Sequence, residues 1–189
     1  LKVGVIKFPS ISNFSDLHPL ENENSIQLKW IKKSENLQIF DFIILPGSKQ
    51  TIKDQIYLDN SGLSQDIREY SNSNGNIIGI CGGLQMLGTT LEDPYSKEGS
   101  IIYSEQKTKG IGLLPLKTTF LEKKLTRQIN SESIWPCQSE INGFEIHNGQ
   151  TVLDEIQSSL NINPIFKDSD LGWYKENNKG GTIAGTYIH

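Results

Sequence analysis

Three short apolar runs constrain this chain more than anything else in it: "KVGVIKF" (2–8), "DFIILPG" (41–47) and "NIIGI" (76–80). None alternates apolar with polar residues, and each is closed by a Pro, a Gly or a Cys. A strand that is apolar along its length must be covered on both faces, as in a parallel sheet with helices packed over it. Segments 48–59 and 62–73 carry helical spacing, with Leu63, Ile67 and Tyr70 on one side of the second. "SIQLKWI" (25–31) alternates and supplies another strand, and 82–89 reads as a helix. This βαβ series predicts an α/β fold with an open, mostly parallel sheet and helices on both faces.

The second half changes character. Gly110 to Phe120, Gly143 to His147 and Thr182 to His189 read as strands separated by polar loops, which predicts an antiparallel extension in the C-terminal half. Segment 122–140 is polar and carries no period that assigns it. With no internal repeat and no low-complexity linker, residues 1–189 read as a single domain. The strand-like opening "LKVGVIKF" has no initiator Met, which reads as a piece of a longer polypeptide.

A net charge of −4 gives no electrostatic case for nucleic acid or an anionic membrane, either of which wants clustered Lys and Arg. No apolar run reaches the roughly 18 residues a membrane span needs. The two cysteines, Cys81 and Cys137, lack the neighbouring Cys or His of a metal site, and they read as reduced thiols of a cytoplasmic protein.

Cys81 stands where strand 76–80 gives way to a helix, in Gly79-Ile80-Cys81-Gly82-Gly83. Ligands in open α/β sheets collect beyond the carboxyl ends of the strands. A sharp strand-to-helix turn there strains the backbone and holds its side chain out over the crevice, as in a nucleophile elbow. Side chains at the flanking glycines would collide with neighbouring strands or an arriving substrate. The helix N-terminus would favour a thiolate, and the Gly82 N–H would be placed to donate to an oxyanion. A second donor is offered by "LPGSK" (45–49), where Gly47 ends a strand that should neighbour strand 76–80. The competing reading of Cys81 is a small buried core residue.

A thiol nucleophile needs a base. His18, in "DLHPL", reads as a loop residue. "GFEIHNG" (143–149) projects Glu145 and His147 from one face of a strand, and His189 ends "TIAGTYIH" at the carboxyl end of another. Spacing does not choose between His147 and His189, and either could equally be a structural histidine. No phosphate-binding loop is present: "GSKQT" (47–51) lacks the glycine spacing, and "GIGLLP" (110–115) fails the dinucleotide fingerprint. The residues alone point to thiol-dependent acyl transfer or amide hydrolysis with no metal and no cofactor in this domain.

"DFIILPGSK" followed by "GICGGLQMLG" resembles the class I, triad-type glutamine amidotransferases, a flavodoxin-like fold. "ISNFSDLHPL" (11–20), "GFEIHNG" and "GTYIH" (185–189) narrow the resemblance to the C-terminal glutaminase domains of the cobyric acid synthases of the cobalamin pathway. The resemblance spans the chain from residue 3 to residue 189.

It implies that Cys81 attacks the side-chain amide of glutamine and that His189, rather than His147, is the general base and acid. Gly47 and Gly82 would form the oxyanion hole, and Gln85 would help to hold glutamine. Glu145 and His147 would line the same pocket or the route by which ammonia leaves it. It also implies an ATP-dependent synthetase domain, absent here, that uses ATP and Mg to amidate carboxylates of an adenosylated corrinoid diamide. The "ISNFSD" loop would face that domain.

Many relatives carry an acid two residues beyond the base, a position past His189; Glu145 or a backbone carbonyl would then orient the imidazole. His18 stands where relatives tend to carry an acid, and a base at the last position would be poorly held. Rival readings are the glutaminase of another amidoligase (cobyrinate a,c-diamide synthase-like, or one amidating cell-wall lipid II), a stand-alone γ-glutamyl thiol hydrolase, and a catalytically silent binding domain.

Overall fold

The apolar runs do become the centre of a parallel sheet. In the computed structural model, which describes residues 1–98, 107–154, 161–177 and 180–189, five strands run parallel. They are β1 (Lys2–Ile6), β2 (Gln27–Ile31), β3 (Phe42–Leu45), β4 (Asn76–Ile80) and β11 (Thr182–Thr186), in the order β2-β1-β3-β4-β11. Beyond β11 the sheet turns antiparallel through β10 (Gly172–Glu176) and β9 (Asn163–Pro164). The alternating strand β2 occupies the edge, where one face needs less cover; the uniformly apolar strands lie inside.

Side chains alternate across this sheet. Ile43, Leu45 and Ile77 pack with Ile52 and Leu58 of α2 (Thr51–Ser61), Leu63 and Ile67 of α3 (Leu63–Asn72), and Leu84 of α4 (Gly82–Leu87). Val3, Val5 and Ile44 face the other way, onto Leu17 and Leu20 of the 3-10 turn Phe14–Leu17 and the one-turn helix α1 (His18–Glu21). Gly62, in the left-handed region at φ 81°, makes the break between α2 and α3.

The second half holds a four-stranded sheet in the order β6-β5-β7-β8, from β5 (Thr90–Glu92), β6 (Lys107–Lys109), β7 (Leu116–Ser133) and β8 (Ser139–Leu153). β7 and β8 form a long antiparallel hairpin whose register shifts between Thr119 and Lys124. Segment 122–140 is therefore mostly strand. It showed no period because Leu121 to Gln128 are exposed on both faces of the ribbon, so neither face is selected to be apolar. Conversely, 110–115 is an irregular connection that precedes β7. Among the described residues no helix follows α4, and no helix is long and apolar enough to cross a membrane.

The glycines of the Cys81 corner are required by packing. A Cβ on Gly79 would stand 2.6 Å from the Gly83 carbonyl carbon, and one on Gly83 would stand 2.0 Å from the Leu45 carbonyl oxygen. Strand β3, strand β4 and helix α4 thus meet backbone to backbone. The expected result for Gly83→Ala is a loss on the order of 3 kcal/mol of stability, since backbone has no rotamer by which to yield. Urea unfolding of the two chains measures it, and coincident midpoints would refute the packing argument.

Candidate active site

Four connections leave the carboxyl ends of parallel strands and converge on one place: the loop after β1, the strap after β3, the corner after β4 and the residues after β11. Cys81 is at the centre. Its backbone has φ 52° and ψ −106°, in the positive-φ half that a side chain rarely adopts. It is held by two hydrogen bonds: its N–H donates to the Thr186 carbonyl at 2.8 Å, and its own carbonyl accepts from the Gln85 N–H at 3.1 Å. The Cys81 side chain is 7% exposed, its Sγ lies 3.3 Å from the Ile146 carbonyl oxygen, and it lines a cavity of about 330 Å³. It is buried, but beside a pocket and not within hydrocarbon.

His189 stands beside Cys81, close enough for the two side chains to interact, without lining the cavity. Its Nδ1 pairs with Asp16 Oδ2 at 2.7 Å, and the Asn13 amide lies 3.1 Å and 3.3 Å from the two ring nitrogens. Burial works against the charged imidazole, but the hydrogen bonds to Asp16 and Cys81 and the negative charge of both outweigh it and push the pKa up to about 9. The terminal residue is firmly held, contrary to the expectation from its position. Its N–H donates to the Phe144 carbonyl at 2.8 Å and its carbonyl accepts from the Phe144 N–H at 3.1 Å, so β8 clamps it by the main chain.

Glu145 does not orient this base, and neither does a backbone carbonyl. Its carboxylate is committed to His147 Nε2 at 2.8 Å and to Arg127 Nε. His147 stacks on Tyr187 with ring centroids 3.7 Å apart, and its Nδ1 is buried without a hydrogen-bond partner. The imidazole lines the Cys81 cavity and also a second one of about 500 Å³, reaching from Tyr187 past Glu145 to Leu121 and Leu125. His147 and Lys124 are the two side chains common to both cavities. His18 is exposed at the start of α1 and away from the site.

The residue of the strap that meets Gly82 is Ser48. A Cβ on Gly82 would lie 2.8 Å from the Ser48 nitrogen, so the strap after β3 presses against the first turn of α4. Ser48 lines the cavity, whereas Gly47 packs against Ser12 and the His189 ring. Neither the Gly82 N–H nor the Ser48 N–H has an acceptor among the described residues. Gln85 lines the cavity too, but its amide is already braced. Nε2 donates to the Asn148 carbonyl at 2.9 Å and to the Tyr187 hydroxyl at 3.2 Å, while Oε1 accepts from Thr51 Oγ1 at 3.3 Å.

Two residues that sequence reading did not single out stand in the site. Asp16 closes the "ISNFSD" segment, whose sequence marks it only as a polar loop. Glu98 carried no signal at all. Its carboxyl is buried, faces the backbone N–H groups of Thr51 and Ile52 at the start of α2, and keeps Oε2 without a partner among the described residues. Burial raises its pKa to about 7, against the lowering effect of those two N–H groups. Glu98 lines the same cavity as Cys81, together with Lys49, Lys97 and Lys124. Among the described residues no group of three or more His, Cys, Asp or Glu could hold a metal ion.

Comparison with known proteins agrees with this geometry. The family model described as the CobB/CobQ-like glutamine amidotransferase domain matches residues 2–189. The chain is 82% identical over 189 residues to the cobyric acid synthase of Prochlorococcus marinus (strain MIT 9301) and 46% identical to that of strain NATL2A. Each match covers 100% of this chain and 37% of the relative, so the chain spans little more than a third of those proteins. Among solved structures, PurLQS from Thermotoga maritima superposes with a TM-score of 0.70 at 15% identity, covering 100% of this chain and 86% of that one. A glutamine amidotransferase from the same organism gives 0.64 at 15% identity, covering 100% and 75%. The fold is thus that of the glutamine amidotransferases, with a mostly parallel sheet, and the chain belongs to the CobB/CobQ-like glutamine amidotransferase family.

Proposed function

We propose that this domain hydrolyses glutamine through Cys81 and supplies the ammonia to an ATP-dependent amidation of corrinoid carboxylates, as the glutaminase part of a cobyric acid synthase. The observation that carries this reading is a strained, pocket-facing thiol with an imidazole beside it whose Nδ1 is held by Asp16. In the reaction, the Cys81 sulfur attacks the side-chain amide carbon of glutamine. The oxyanion that forms is met by the N–H of Gly82 and by the strap Gly47–Ser48; one such donor is typically worth on the order of 3 kcal/mol. His189 gives its proton to the departing nitrogen, leaving a γ-glutamyl thioester and ammonia. The same imidazole, now neutral, takes a proton from water as water attacks the thioester, and glutamate is released.

The cavity suits the other end of the substrate. Glu98, with one buried oxygen unpartnered, fits an α-ammonium group, and the lysines 49, 97 and 124 offer cations to an α-carboxylate. At about 330 Å³ the cavity stands at the small end of ligand sites, which run roughly 300–1,000 Å³. Gln85 acts here mainly as a brace that holds the floor of the pocket, with one oxygen lone pair left for the substrate. Glu145 and His147 line the second cavity, which shares His147 and Lys124 with the first and is the exit assigned to ammonia in this reading. The amidation itself, its ATP and Mg, and its adenosylcorrinoid diamide acceptor belong to a synthetase domain outside these residues.

Two measurements test the reading. A diazo-ketone analogue of glutamine should alkylate Cys81 and spare Cys137, although Cys137 is the exposed thiol, and glutamine should protect. In a full-length chain carrying this domain, Cys81→Ser should abolish glutamine-dependent amidation and leave ammonia-dependent amidation intact. Labelling confined to Cys137 would refute the assignment, and hydrolysis of γ-glutamyl compounds with no coupling to amidation would favour a free-standing hydrolase. Glu98→Gln should raise KM for glutamine on the order of tenfold with kcat little changed, since it removes an ionic partner of the substrate. In the native chain KM should rise as pH falls below about 7, because the carboxylate that receives the ammonium is then protonated.

A further inference from the structure

We infer that Asp16 completes a Cys81–His189–Asp16 triad, as a positioning residue delivered to the base by the loop after β1. The inference rests on the glutaminase reading for its kinetic consequence, but the geometry stands without it. Asp16 Oδ2 meets His189 Nδ1 at 2.7 Å, and the two side chains are 12% and 7% exposed, so water does little to screen the pair. An acceptor on Nδ1 keeps that nitrogen's proton in place and leaves Nε2 as the basic nitrogen, the one by which a triad base takes up and gives back the catalytic proton.

The loop is built to hold that carboxylate still. Ser12 N–H donates to the Gly47 carbonyl at 2.9 Å, and Lys49 N–H donates to the Ser10 carbonyl at 2.8 Å. Those bonds tie it to the strap that carries the oxyanion donor. Ser10 N–H also reaches Asp54 Oδ1 at 3.2 Å. Asn13 takes a left-handed backbone at φ 50°, its carbonyl accepts from Asp16 N–H at 3.1 Å, and Leu17 anchors the far side in the core at 1% exposure. One segment therefore sets both the acid behind the base and the position of the strap beside Gly82.

Among the described residues no other charged group competes for the imidazole. The groups facing His189 are Cys81 from the β4–α4 corner and Asp16 from the loop. The acid on β8 nearest in the chain pairing, Glu145, meets Ile188 only through the main chain and spends its carboxylate on Arg127 and His147. The carboxylate behind the base arrives from a residue at the other end of the sequence.

Asp16→Asn keeps the shape and an acceptor but removes the charge. In the full-length chain it should lower kcat for glutamine hydrolysis on the order of a hundredfold or more while leaving KM within about twofold, with partial recovery in Asp16→Glu. The alkaline limb of the kcat/KM profile should move toward acid, because the imidazolium loses its carboxylate partner. Titration of the His189 Cε1 resonance reads the same coupling without any activity: near 9 in the native chain, and displaced downward by a unit or more in Asp16→Asn. A native His189 that titrates near its ordinary 6.5 would overturn the inference even if the variant failed to fold. So would a folded Asp16→Asn with unchanged kcat and an unchanged titration. If the native chain does not hydrolyse glutamine, the glutaminase reading fails, and the titration still decides for or against the Asp16–His189 pair.

Discussion

The backbone of Cys81 is the constraint from which the rest of this structure follows. A residue with a side chain at φ 52° carries strain of about 1–3 kcal/mol, and it persists only where the surroundings leave no alternative. Here the surroundings are a buried strand on one side, a helix that starts at once on the other, and glycines that let three backbones touch. Relaxing the corner would mean withdrawing β4 from between β3 and β11, or lifting α4 off Leu45. The core energy of the domain thus holds one sulfur in a fixed place.

Parallel topology then does the assembling. Because β1, β3, β4 and β11 point the same way, the chain leaves all four at one edge, and each exit contributes a part: Asp16 and Asn13, the Gly47–Ser48 strap, Cys81, and His189. The long hairpin closes the remaining side. It supplies Ile146 and His147 to the pocket, and Phe144 to clamp the last residue. The antiparallel half of the domain sends Leu91, Leu116, Phe120 and Trp173 into the central core and also serves the site as its wall and as the support of its base.

Legibility followed the range of the interaction. The Cys81 corner was visible because strand, thiol and glycines adjoin in sequence, and the collisions expected of Gly79 and Gly83 are those the packing contains. Glu145 and His147 were placed on one face of a strand by period two, and they hydrogen-bond there. Choosing His189 over His147 was beyond spacing and needed resemblance. The structure supplies the physical distinction: His147 is bound to Glu145 and stacked on Tyr187, while His189 reaches the thiol. Segment 122–140 resisted assignment because a ribbon exposed on both faces has no buried side to mark it.

By itself, then, the sequence determined the parallel core, the carboxyl edge as the place of chemistry, and the thiol at its centre, because each rests on neighbours a few residues apart. Only the tertiary structure decided which acid stands behind the base, that Glu98 looks into the pocket, and that a terminal histidine can be rigid. Each of these joins residues on separate strand exits or separate sheets, brought together by the register of the sheets. No local pattern of apolar and polar residues can encode a contact between residues 16 and 189.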